Sequence, residues 1–209
     1  MKKDAKDAKS ESSMDFVLEY HNKFDLEDLD NRKLYLGSVI DGSSIDSVVY
    51  HILRYNRLDK GIPKEERKPI ILYINSPGGN VSDGFGVIDA ILTSETPVYT
   101  VNQALCASMG FLIFIAGHKR YSMPRAEFLL HDGSTFIFDS SGKAKDRIEF
   151  ESVQLEGITK SLVIEQTKIE SDLYDNKHRA EWWMLPKEAK ELGVTDYIVG
   201  VDVSINEIV

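Results

Sequence analysis

Ala104-Leu105-Cys106-Ala107-Ser108-Met109-Gly110 runs directly into Phe111-Leu112-Ile113-Phe114-Ile115-Ala116-Gly117. Small residues set a turn that carries a single hydroxyl, and an almost wholly apolar run follows. At about ten residues the run is too short to cross a bilayer, so it predicts a buried helix. The Ser108 hydroxyl then stands at the helix's first turn. There, unpaired backbone N–H groups and the positive end of the helix dipole favour developing negative charge. A serine in that place is either a helix cap in a packed core or a nucleophile that generates an oxyanion. The flanking segments decide between the two.

Immediately upstream, Val98 to Val101 reads as a strand that leads into the Ser108 turn. Before it, Pro69-Ile70-Ile71-Leu72-Tyr73-Ile74-Asn75 is the strongest strand of the chain, and its continuous apolar character predicts a sheet covered on both faces. That strand ends in Ser76-Pro77-Gly78-Gly79 and enters a helix with Val81, Phe85, Ile88, Ala90, Ile91 and Leu92 at mostly helical spacing, broken at Thr96-Pro97. Strands alternating with helices predict an α/β fold with parallel pairing. Ligands bind at the C-terminal ends of such strands, and right-handed crossovers put successive turns on one edge. The backbone amides of Gly79 and Met109 are therefore expected to converge beside the Ser108 hydroxyl. Further upstream, Leu34 to Gly37 is the first strand. Ser43-Ser44-Ile45-Asp46 resembles a capping box, and Ile45, Val48, Val49, Ile52 and Leu53 mark a helix to about Asp59. His51 beside that face reads as a structural histidine, and Lys60 to Lys68 as a charged loop.

Downstream, Lys119 to Pro124 predicts a short strand and turn, and Glu127-Phe128-Leu129-Leu130-His131 a strand that ends in a histidine, where a general base can be held rigidly. Phe136-Ile137-Phe138 suits an edge strand or flap. A long helix is expected over 143–174. Ile148, Leu155, Ile158, Leu162, Ile169 and Leu173 form a heptad-like stripe on it. Such length exceeds the usual domain helix, so the stripe predicts docking against another subunit, with Gly157 marking a bend or a close approach. Trp182 and Trp183 follow Glu181, and packed indole rings there would restrict the carboxylate's access to water. Leu185 to Val194 is a short helix with Pro186 in its first turn and Gly193 at its C-cap, and Thr195 to Val199 a last strand.

With 209 residues and a 42% hydrophobic share, the chain suits one domain, 31–209, preceded by a flexible polar arm, 1–30. A net charge of −9 and no basic patch argue against nucleic acid as a partner. The single cysteine, Cys106, excludes an internal disulfide framework and fits a reducing compartment; it reads as a buried small hydrophobe rather than a catalytic thiol. Met1 to Ser13 has no apolar core of signal-peptide type, and no stretch reaches transmembrane length. A cytoplasmic protein without a membrane partner is expected.

Taken together, Tyr73-Ile74-Asn75-Ser76-Pro77-Gly78-Gly79, Ala107-Ser108-Met109-Gly110, Leu130-His131 and the terminal Lys187-Glu188-Ala189 with Leu192-Gly193-Val194-Thr195-Asp196 resemble the proteolytic subunits of the ATP-dependent Clp proteases, the ClpP family. The resemblance spans roughly residues 34–199. It implies a crotonase-like fold, a repeated β-α superhelix with a long protruding handle helix at 143–174. It also implies a serine endopeptidase acting on unfolded polypeptides. The family's nucleophile falls on Ser108, its general base on His131, and its oxyanion donors on the amides of Gly79 and Met109. The family's aspartate falls on Glu181 when the terminal segments align without gaps, and on Asp175 if a gap is placed there. Asp132 lies too close in sequence to His131. Implied partners are a second set of copies, in two stacked heptameric rings, and a hexameric AAA+ Clp unfoldase. No metal or cofactor is implied for this chain: ATP would be consumed by the unfoldase, since the chain has no Walker A motif. Alternatives are a catalytically impaired ring subunit, a phage-type maturation protease, and a different crotonase-like enzyme. Arg179 matches a family arginine used between rings, with His178 in place of its flanking acidic partner.

Overall fold

A long central strand decides the architecture. The computed structural model describes residues 25–133 and 141–209. The expectations for Met1 to Ser13 and for Phe136 to Phe138 fall wholly outside the described residues, as does most of the 1–30 arm. After a helical stretch at 25–30, the elements are β1 (Lys33–Leu36), α1 (Tyr50–Leu58), β2 (Ile70–Ser76), α2 (Val81–Leu92), β3 (Val98–Ala107), α3 (Met109–Ile115), β4 (Lys119–Ser122) and β5 (Glu127–Leu130). They continue with α4 (Ser141–Phe150), α5 (Glu156–Gln166), α6 (Ser171–Lys177), β6 (Trp182–Met184), α7 (Pro186–Glu191) and β7 (Tyr197–Ile198). The seven strands form one sheet in the order β1-β2-β3-β4-β7, all parallel along that path. The first half of β3 pairs with β4, Tyr99 against Lys119. Its second half pairs in parallel with β5, Leu105 against Glu127 and Ala107 against Leu129. Between the halves the register against β2 shifts, a bulge that re-aims the strand next to the site.

The sheet is covered on both faces, as the unbroken apolar run of β2 requires. On one face α1, α2 and α3 bury a large core that includes Phe111, Phe114, Ile74, Leu72 and Phe128. Full burial of each such side chain is worth roughly 1.5–3 kcal/mol, and Phe111 meets Phe128 edge to face at 6.4 Å between centroids. The opposite face packs Ile71, Tyr73, Val101 and Tyr121 under Val199 and Ile208 of the C-terminal segment, where the Tyr73 hydroxyl donates to the Ile208 carbonyl.

Two expectations are corrected. The helix expected from Ser43 is capped earlier, by Asp41. The Asp41 carboxylate accepts from the Ser43 amide at 2.9 Å, while the Ser44 hydroxyl accepts from the Asp41 amide at 3.2 Å. The chain then passes through a π-helical stretch, Ile45–Val49, before α1. The helix expected over 143–174 starts at Ser141, contains a π-helical stretch at Glu151–Leu155, and ends at Gln166. Thr167 stops it: its hydroxyl donates to the Val163 carbonyl at 2.6 Å and accepts from the Ile169 amide at 3.0 Å, and its backbone is extended. Ile169 and Leu173 therefore leave the stripe. Leu162 and Ile169 turn into the chain's own core, whereas Ile148 and Ile158 stay exposed. Finally, β6 is a strand that the sequence reading missed.

Candidate active site

Ser108 sits where β3 ends and α3 begins. It is the N-cap of α3, with φ 54° and ψ −122°. A non-glycine residue at positive φ is uncommon and has to be held there by its surroundings. Three backbone contacts hold it. Its amide donates to the Leu129 carbonyl at 2.9 Å, and its carbonyl accepts from the Phe111 and Leu112 amides at 3.0 and 3.2 Å. Its hydroxyl makes no capping bond, so the residue is not a helix cap of the ordinary side-chain kind.

The Pro77-Gly78-Gly79 turn is pressed against it. A Cβ on Gly78 would lie 2.7 Å from the Ser108 Cβ and 3.1 Å from the Met109 amide nitrogen. One on Gly79 would lie 2.2 Å from the Ile40 carbonyl oxygen. Both residues have positive φ, 99° and 155°, so glycine is required twice over, by conformation and by space. The turn is pinned from below by Ser76. Its hydroxyl donates to the Ser38 carbonyl at 2.6 Å and accepts from the Gly78 amide at 3.1 Å. Around it, the Ile40 amide donates to the Gly78 carbonyl at 2.9 Å and the Asn80 amide to the Ile40 carbonyl at 2.8 Å. Gly79 stands between those two bonds. Among the described residues, the amides of Gly79 and Met109 have no backbone acceptor. Two unpaired N–H groups beside one uncapped hydroxyl is the arrangement expected of an oxyanion site. Ser76 is the residue whose part the sequence reading missed. A fully buried serine closing an apolar strand is a signal in itself, because a buried hydroxyl has to find partners.

His131 directly follows β5, which the Ser108 amide bonds at Leu129, so the structure brings Ser108 and His131 to the same end of neighbouring strands. The imidazole is half-buried. β5 pairs antiparallel with β6, Phe128 against Met184, Leu129 against Trp183 and Leu130 against Trp182. The ladder ends at that pair: His131 and Glu181 are the next residues of the two chain segments, and beyond them the register is not kept, since the Asp132 amide donates to the His178 carbonyl.

These groups are neighbours without being joined. Among the described residues, neither the Ser108 hydroxyl nor the His131 ring has a side-chain hydrogen bond, and the Glu181 carboxylate accepts from Trp183 Nε1 at 3.1 Å. The expected packing of both indoles about Glu181 is also corrected. Trp182 is buried under the sheet while Trp183 is 48% exposed, because successive residues of β6 point to opposite faces, and Glu181 is itself exposed. Asp175 lies on α6, where both its oxygens sit 2.7 Å from Lys160 Nζ; no contact ties it to His131. Cys106 is fully buried, which raises its thiol well above the usual range and suits the small hydrophobe expected of it.

The comparisons with known proteins agree on one relationship. The Clp protease family model matches residues 22–202. "ATP-dependent Clp protease proteolytic subunit 1" of Frankia casuarinae is 34% identical over 179 residues, covering 82% of this chain and 78% of its own. Subunit 2 of Tropheryma whipplei is 30% identical over 178 residues, 81% and 92% of the two chains. Subunit 3 of Streptomyces avermitilis is 28% identical over 179 residues, 82% and 75% of the two chains.

Proposed function

The chain belongs to the Clp protease family, and we propose that within it Ser108 is the nucleophile of a serine-type endopeptidase. The observation that carries this reading is the interlock of the Gly78-Gly79 turn with a strained, uncapped Ser108, which leaves two amides free beside one hydroxyl. His131 takes the proton from Ser108 as the alkoxide attacks the peptide carbonyl. The amides of Gly79 and Met109 hold the oxyanion, and a donor so placed is worth about 10²–10³ in rate. His131 then gives the proton to the leaving amine, and water hydrolyses the acyl-enzyme. Glu181 orients the imidazole, as a glutamate does in other triads. Unfolded polypeptide binds extended beside a strand edge through main-chain bonds, which gives little sequence specificity.

In this reading the chain works in the cytoplasm as a homo-oligomer of two stacked heptameric rings, fed by an AAA+ Clp unfoldase that consumes the ATP. It needs no metal or cofactor of its own. Ile148 and Ile158 of the α4–α5 region, both exposed among the described residues, support the assembly as apolar surface for another copy to cover. None of the helices among the described residues is long and apolar enough to cross a membrane.

The test is labelling with a fluorophosphonate probe. The wild-type chain should label, and Ser108→Ala and His131→Ala should not; labelling retained by Ser108→Ala rejects the assignment. A catalytically impaired ring subunit is the second reading. It is favoured by the Glu181 carboxylate bonding Trp183 rather than His131. Peptide hydrolysis by the purified chain, with and without an unfoldase, separates the two.

A further inference from the structure

His178 is the most buried histidine among the described residues, 3% exposed, and the mechanism above does not use it. It closes α6 as its C-cap. Its ring stacks on Tyr174 with centroids 4.5 Å apart and planes at 10°. Nδ1 lies 2.9 Å from the Tyr174 carbonyl oxygen and Nε2 3.0 Å from Glu156 Oε1. Glu156 stands in the first turn of α5, directly after the π-helical stretch. The backbone of His178 reaches in the other direction: its carbonyl accepts from the Asp132 amide at 2.6 Å. Asp132 is the residue after His131.

We infer that His178 and Glu156 form a clamp that positions the His131 imidazole from behind. The inference rests on His131 being the general base. The chain on one side of His131 is fixed by the Leu130–Trp182 pair, and on the other side by the Asp132–His178 bond. Both anchors belong to the stretch 178–182. Between them Arg179, Ala180 and Glu181 are exposed and bury nothing. The side chain of His178 is therefore what seats this stretch. If it swings out, the backbone partner of Asp132 moves with it, and Glu181 moves too. The ring thus stands between a carbonyl on one side and a carboxylate on the other, within hydrogen-bond distance of both. His178 and Glu156 are positioning residues: they reach the reaction only through the backbone that carries His131 and Glu181.

The experiment compares Glu156→Ala with Glu156→Gln in the full chain, at unchanged oligomeric mass. Readouts are peptide hydrolysis, fluorophosphonate labelling, and hydrogen exchange at the Asp132 amide. A glutamine amide can bond Nε2 in place of the carboxylate and so keeps the clamp closed. Glu156→Ala should speed exchange at Asp132 about tenfold and lower kcat about tenfold with KM within about twofold, because misplacement of a reacting group slows chemistry more than binding. Glu156→Gln should restore both. Unchanged kcat in Glu156→Ala overturns the proposal, as does an equal loss in both variants. If His131→Ala labels at the wild-type rate, the base assignment falls and the catalytic role of the clamp falls with it; Asp132 exchange in the two Glu156 variants still decides whether the clamp exists.

Discussion

Around Ser108 the backbone is locked from three sides, by Leu129, by the Gly78 turn and by the first turn of α3. Around His131 the chain is anchored before and after, yet the ring itself has no side-chain partner among the described residues, and the Glu181 carboxylate bonds an indole. The contrast matches what the chemistry asks of each half. Oxyanion donors act by being fixed before charge develops, and a backbone interlock does that without depending on any side-chain rotamer. A base and its carboxylate need only come together in the reacting complex, and their bonds are often long or unmade without substrate. In the proposed triad the nucleophile half is built into the fold, whereas the groups of the base half are not joined to one another.

The sharpest way to break this comparison is at the turn. Gly79→Ala drives a methyl group into the Ile40 carbonyl at a φ that alanine disfavours. Acylation by a fluorophosphonate should fall about 10³-fold, with a lower Tm in calorimetry. A loss no larger than that of Glu181→Gln would show that the two halves are equally adjustable.

Next in size is a change that loosens the scaffold without touching the site. Asp59 is buried, takes a bidentate bond from Arg32 at 2.6 Å to each oxygen, and accepts from Thr96 Oγ1 at 2.8 Å just before β3. The Arg32 bonds, chiefly, hold its carboxyl below the usual carboxylate range. Asp59→Asn should lower stability by about 3 kcal/mol in urea denaturation, with kcat unchanged at room temperature. The sign in pH follows from linkage. A carboxyl with a depressed folded pKa contributes its full share above the unfolded value of about 4, and that share is lost as pH falls through the folded value. The wild type should therefore lose stability below about pH 4 more steeply than Asp59→Asn.

On the base half the expected effects are smaller. Glu181→Gln keeps the shape and removes the charge that steadies an imidazolium, and should lower kcat about tenfold. Trp183→Phe removes the indole donor that holds Glu181 away, and should raise kcat about twofold at most, a fraction of 1 kcal/mol. A fall in Trp183→Phe would mean that the indole bond steadies the carboxylate rather than distracting it.

The same division runs through what the amino-acid sequence makes legible. The apolar runs at Ile70–Ile74 and Phe111–Ile115 name their strand and helix because full burial leaves no other periodicity. Gly78-Gly79 beside Ser108 is legible too, since only glycine meets those dihedrals and that spacing. Three features are not legible. A threonine side chain bonding its own backbone ends α5 at Gln166, although the apolar spacing runs on past it. β6 has only the residues Trp182 to Met184, too short a run to show the alternation that marks a strand, so its pairing with β5 is legible only in the tertiary structure. And the partner of Glu181 is decided by which face of that short strand each tryptophan takes, which depends on the register with β5.

The bond from the Ser108 amide to Leu129 has a bearing on the chain's own synthesis. Ser108 reaches its geometry only when β5 is seated against β3, and β5 is closed on its other edge by β6, which ends at Met184. A nascent chain that has emerged through Ser108 and His131 thus holds both proposed catalytic side chains but lacks β6, which closes β5. A parallel pairing of this kind forms late, since distant segments have to meet before it is rewarded. On the proposed triad, the site is therefore assembled only after β6 has been made and seated against β5.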